Sequence, residues 1–177
     1  MRKLVFAAVI GGSLLVALAG GTFALAKNDK GGKARATLTG YEEVPSISTA
    51  AKGRFRAEID ADSIDYRLSY RGIEGGTATA AHIHLGQRHT SGGVSAFLCG
   101  GGDKPACPTT GGTVEGTIDA ADVIGPAGQG ILAGQLNELV RAIRAGAAYV
   151  NVHSTTFPAG EIRGQLKSDR RKGRDDD

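Results

Sequence analysis

Two histidines stand two residues apart in the segment AHIHLG, a third closes the run YVNVH, and a carboxylate and a guanidinium follow in GEIRG. In an extended strand His82 and His84 point to one face, with Cα atoms about 7 Å apart, while Ala81, Ile83 and Leu85 point to the other. Two imidazoles on one strand face can converge on one ion. The same alternation sets Val150 and Val152 against Tyr149, Asn151 and His153, and Ile162 against Glu161 and Arg163. Imidazole nitrogen suits both copper and zinc, so His82, His84, His153 and Glu161 form a candidate ligand set, and one such ion is the cofactor this pattern suggests. A second reading needs no ion. In it the histidines donate to Asn151 or Glu161, Arg163 pairs with Glu161, and the polar cluster fixes strand register. Residue types and spacing leave both readings open, because they do not state that the two segments are neighbours. His89, in the 86–93 turn, is expected at the surface.

No catalytic set accompanies these residues. Ser154 follows His153 directly, but adjacent strand residues face opposite ways, and no G-x-S-x-G elbow occurs. Gly128, Gly130 and Ala133 have dinucleotide-loop spacing, yet no strong parallel strand precedes them and no acidic residue lies between Glu138 and Glu161 to hold a ribose. Cys99 and Cys107 are the only two cysteines and flank a Gly- and Pro-containing loop. A disulfide is the economical reading, stabilising by about 2–3 kcal/mol in the chain-entropy model, whereas their spacing is not one that metal-ligating thiols use.

The elements that must position these side chains are short. Glycine makes up 28 of 177 residues without a fixed period, which implies frequent turns and argues against a helical bundle. Alternating runs at 34–40, 52–60, 63–71, 78–85, 93–98, 112–119, 147–153 and 160–166 predict antiparallel strands at the spacing of an all-β sandwich. One segment breaks that rhythm: Leu136, Leu139, Val140 and Ile143 fall at helical spacing, Arg141 and Arg144 suit a C-terminal dipole, and Gly146 suits the position after it, so a single amphipathic helix is predicted near 134–145. Residues 1–26 read as a signal peptide, with Arg2 and Lys3, an apolar run, and Ala24 and Ala26 around Leu25 at the cleavage site; an uncleaved segment would anchor the chain instead. Its removal takes two of the 21 basic residues and none of the 18 acidic ones, leaving a net charge of +1 in place of +3. That balance offers no general attraction for nucleic acid or a membrane surface. Nucleic acid is further disfavoured by the absence of Trp and the scarcity of other aromatic platforms. The polar stretches 27–35 and 167–177 are expected to be a linker and a disordered charged tail.

Three separated signatures resemble the CHRD domain, the module named after chordin and found also in exported bacterial proteins. Leu38, Gly40, Glu43, Val44 and Pro45 match its L-x-G-x-x-E-V-P start; His82, Ile83, His84 and Gly86 match its centre; 149–153 and 160–165 match its close, with Ser154 where Thr is frequent. The resemblance covers about 36–166 and implies an extracytoplasmic β-sandwich, Greek-key-like and superoxide-dismutase- or immunoglobulin-like, with no catalytic site to carry over. The H-x-H strand also resembles that of copper/zinc superoxide dismutases, but those need six histidines and an aspartate for two metals, and this chain has four histidines in all. The expected function is therefore a secreted or surface-associated, non-enzymatic binding or structural module whose partner is an extracytoplasmic protein or envelope component. The competing expectation is a single-site copper or zinc protein with a redox or metal-handling role.

Overall fold

The computed structural model describes residues 31–169. The expected signal peptide and residues 170–177 lie outside the described residues. Nine strands are present among the described residues: β1 (Gly32–Thr39), β2 (Lys52–Ile59), β3 (Ile64–Arg71), β4 (Ala78–Leu85), β5 (Val94–Cys99), β6 (Gly111–Ile118), β7 (Ala148–Ser154), β8 (Ile162–Gln165) and β9 (Lys167–Asp169). The helix α1 (Leu136–Arg144) precedes β7.

Alternation builds the strands. In β2 the residues Gly53, Phe55, Ala57 and Ile59 are buried while Lys52, Arg54, Arg56 and Glu58 are exposed. Ile64, Tyr66, Leu68 and Tyr70 do the same in β3, and Phe55 stacks on Tyr66 across the pair with ring centroids 6.3 Å apart. Leu38, Ile83, Leu98, Ile118, Ile162 and Leu166 complete the interior, each fully buried large side chain stabilising by about 1.5–3 kcal/mol. In α1 the predicted stripe of Leu136, Leu139, Val140 and Ile143 is buried, and the helix packs against β7 and β9. Gly146 follows it in the left-handed conformation, with φ of 70°.

All strand pairs are antiparallel, as expected, but they form one sheet and not two stacked ones. The order is β5-β4-β7-β8-β1-β2-β3-β6, with β9 beyond β8 along β1. The ends of this sheet curl toward each other: Tyr66 Oη on β3 donates to Leu98 O on β5 at 2.7 Å, and Ile124 N donates to Ser95 O at 2.9 Å. The result is almost a barrel. Alternation within a strand states which face is buried, not which strand supplies the next hydrogen bonds, so it leaves one sheet and two indistinguishable. Where β8 crosses β1 the backbones come so close that a Cβ on Gly164 would sit 2.3 Å from Thr37 O. Glycine is required there by space.

Two of the expected polar ends are ordered. Residues 32–35, expected as linker, and 167–169, expected as disordered tail, pair with each other as Lys33 with Asp169, Ala34 with Ser168 and Arg35 with Lys167. Each supplies the backbone partner that neither has alone, Ala34 is buried, and Arg35 bonds Asp169. Cys99 and Cys107 form the expected disulfide at the end of β5.

Candidate functional site

β7 is buried along its whole length, on both faces. Its Ala148, Val150 and Val152 enter the apolar interior, while Tyr149, Asn151 and His153 face a second, polar interior roofed by loops. Register brings the neighbouring side chains onto that face: His84 lies opposite Tyr149, His82 opposite Asn151, and Arg163 of β8 opposite Asn151 from the other side. Phe97 of β5 faces His82, with ring centroids 4.5 Å apart.

His82, His84 and His153 converge, each offering a ring nitrogen, with these atoms all within 4.8 Å of one another. The hydrogen bonds assign the protons. His153 Nδ1 faces Pro158 O at 3.0 Å and His84 Nδ1 faces Gly92 O at 2.9 Å; a carbonyl only accepts, so both Nδ1 atoms donate. In the neutral ring His153 Nε2 is then an acceptor, and His82 Nδ1, 2.9 Å away, must donate to it. By elimination Nε2 of His82 and Nε2 of His84 are bare lone pairs, and both are buried without a hydrogen-bond partner. Burial, reinforced by His153 and His84, lowers His82 to about 3. Burial likewise lowers His84 to about 4, against the raising effect of its bond to Gly92, and holds His153 below the usual range. The three rings are neutral at physiological pH, the form in which imidazole ligates a metal.

Aromatic and cationic side chains frame the rings. Tyr149 stacks flat on His84 at 4.8 Å, and the Arg163 guanidinium carbon lies 3.4 Å from the centre of the Tyr149 ring. Arg163 Nη2 donates to Gln87 O, Gln165 Nε2 to Gly86 O, and Gly92 N to Tyr149 Oη, which stitches the 86–93 loop over the site.

Glu161 is not part of the convergence. Its carboxylate accepts from Thr49 Oγ1 at 2.9 Å, Glu74 N at 2.8 Å and Gly75 N at 3.1 Å. Burial alone would raise its pKa, but bonds from the Ser154 hydroxyl, Glu74 N, Thr49 and Gly75 N hold it below the ordinary carboxylate value. It ties β8 to the 49–51 and 74–75 segments, and Arg163 does not pair with it. Glu161 precedes β8, after Gly160 has turned the chain at φ of 132°, so alternation counted back from Arg163 does not apply to it.

The carboxyl that shares this interior with Arg163 is Glu43, which the sequence marks only as part of the opening signature. It is buried, Oε1 has no partner, and burial raises it to about 7 despite the opposing charge of Arg163 and a bond from Val44 N. Gly160 leaves room for it: a Cβ there would lie 2.4 Å from Glu43 Oε1 and 2.7 Å from Asn151 Nδ2. Asn151, expected to receive a histidine bond, donates through Nδ2 to Ala159 O at 3.4 Å and lies near enough to His84 to raise that ring's pKa, although neither its Oδ1 nor His84 Nε2 has a partner at hydrogen-bond distance. Tyr149 was legible by parity with Asn151 and His153; Phe97 had no comparable signal. His89 is exposed.

The disulfide is compatible with an extracellular location, and among the described residues no helix is long and apolar enough to cross a membrane. No curated protein and no solved structure matches the chain. The family model of the CHRD domain matches residues 34–166, a span that begins in β1, ends at Leu166 and contains every residue of the polar interior, so the chain belongs to the CHRD domain family.

Proposed function

We propose that the protein is a non-enzymatic, extracytoplasmic CHRD module that binds one copper or zinc ion through His82, His84 and His153. The observation that carries this reading is the pair of buried, unprotonated Nε2 atoms on His82 and His84 without a hydrogen-bond partner. A cluster serving only to fix register would be expected to satisfy them, since an orphaned buried acceptor costs about 1–3 kcal/mol. An ion would use those lone pairs, and the Nδ1 bonds of His84 and His153 to carbonyls are the outer contacts that orient ligating imidazoles. The two bare Nε2 atoms, joined by His153 Nε2 once it exchanges its bond from His82 Nδ1 for the ion, make three neutral donors that suit either metal, whose role would be storage, transfer or redox handling.

The test is isothermal titration of metal-free protein with copper and with zinc, alongside the His82/His84/His153 triple alanine variant. One ion should bind per chain and raise the melting temperature of the native protein only; at a hundredfold excess over Kd the added stability is about 2.7 kcal/mol. Equal shifts in both proteins, or no binding in either, would overturn the metal reading and leave the cluster as a structural one.

A further inference from the structure

Four cations stand in one line across the outer face of the sheet. Register sets Lys167 of β9 opposite Arg35 of β1, Arg35 opposite Arg56 of β2, and Arg56 opposite Arg67 of β3. Like charges directly opposite one another destabilise a sheet, and all four side chains are exposed, so packing does not call for them. Arg67 pairs with Glu115 and Arg35 with Asp169. Arg56, Lys167 and, one step along β2, Arg54 have no acidic partner among the described residues. Arg35 and Arg56 separate two hollows of about 380 and 560 Å³. The larger is lined by Glu58, Asp65 and Asp169, which Lys33, Thr117 and Arg35 engage, so the anion seat is the smaller, lined also by Arg54, Arg88 and Lys167, whose one carboxylate, Glu42, is already engaged by Arg88.

We infer that this line binds an acidic polysaccharide carrying a carboxylate on each sugar. Neighbouring strands lie about 4.8 Å apart, so the cations are spaced close to the advance of one pyranose ring along a chain. Guanidinium groups engage carboxylates through paired hydrogen bonds, which favours such a ligand over a diffuse counterion cloud. The aromatic residues of these strands, Phe55, Tyr66 and Tyr70, are buried on the opposite side, so the face offers no platform on which nucleic-acid bases would stack. Attraction must come from charge. The histidines of β4 and β7 take no part, so this inference stands or falls separately from the metal reading.

The purified protein is titrated, in chelator, with sodium polygalacturonate, and with dextran, inorganic polyphosphate and a single-stranded oligonucleotide as comparators. Polygalacturonate should bind, dextran should not, and affinity should fall as salt rises. The Arg54→Gln/Arg56→Gln variant should bind at least about tenfold more weakly, a loss of roughly 1.4 kcal/mol, and melt no lower than wild type, because the change relieves like-charge pairs. Lys52→Gln/Arg71→Gln, another opposed cation pair on the same sheet, should leave binding near wild type. Absence of polygalacturonate binding, or an equal loss in both variants, would overturn the site. Tighter binding of polyphosphate or the oligonucleotide would overturn the choice of a uronate ligand.

Discussion

His153 is held in one tautomer by Pro158 O and in turn accepts from His82, so removing its ring leaves a buried N–H without an acceptor. His153→Ala should therefore cost about 1–3 kcal/mol in urea unfolding of metal-free protein; an unchanged midpoint would show that His82 finds another partner. Glu43 behaves oppositely. Its folded pKa, about 7, is raised above the ordinary value of 4.5, so its contribution is full below 4.5 and is lost as pH rises through 7. Glu43→Gln keeps the shape of the neutral acid and should match wild type at pH 5 yet be more stable by about 1–3 kcal/mol at pH 8. Equal stability of the two proteins at pH 8 would mean that Arg163 compensates the carboxylate fully.

Close approach and cross-linking act on whole elements. Gly164→Ala would drive a methyl against Thr37 O and Thr37 C of β1, which are backbone atoms of a paired strand and cannot swing away. A loss of about 1–3 kcal/mol is expected, while Gly128→Ala, with nothing within 4 Å, serves as the silent control. The Cys99–Cys107 bridge closes the turn after β5, beyond which Thr109 O accepts from Ala78 N and Thr110 O from Ile73 N. Replacing both cysteines by serine should lower stability by about 2–3 kcal/mol, and thiol labelling of the native protein without reductant should give no signal.

The molecule as a whole should be acid-labile. His82, His84 and His153 have folded pKa values below the ordinary 6.5, so the unfolded chain binds more protons below that pH. Their contribution is complete above 6.5 and is lost as pH falls toward the folded values of about 4 and 3 for His84 and His82. Glu43 opposes them between 4.5 and 7, but one carboxyl is set against three imidazoles. The urea midpoint of metal-free protein should therefore climb from pH 4.5 to 6.5; a flat profile would mean that the rings are solvated and not buried.

Local order was legible because it depends on neighbours in the chain. Period-two alternation in segments such as KGRFRAEID and SIDYRLSYR, the stripe of α1, and the opposed parity of Val150 and Asn151 follow from backbone geometry that adjacent residues impose. The convergence of His82 and His84 with His153 was a candidate on those grounds, yet only the pairing of β4 with β7 made it real. Glu161 shows the limit: its type suited a ligand, but a turn at Gly160 sent it to the amides of Glu74 and Gly75. Net charge hid the line from Lys167 to Arg67, because composition sums over the chain whereas register decides which charges meet. The sequence by itself determined eight of the nine strands, the helix and which side of those strands is apolar. Tertiary structure alone decided that one sheet curls into a near-barrel, that the polar face of β7 is roofed, and which long-range partners share it, since those depend on hydrogen bonds between residues far apart in the chain.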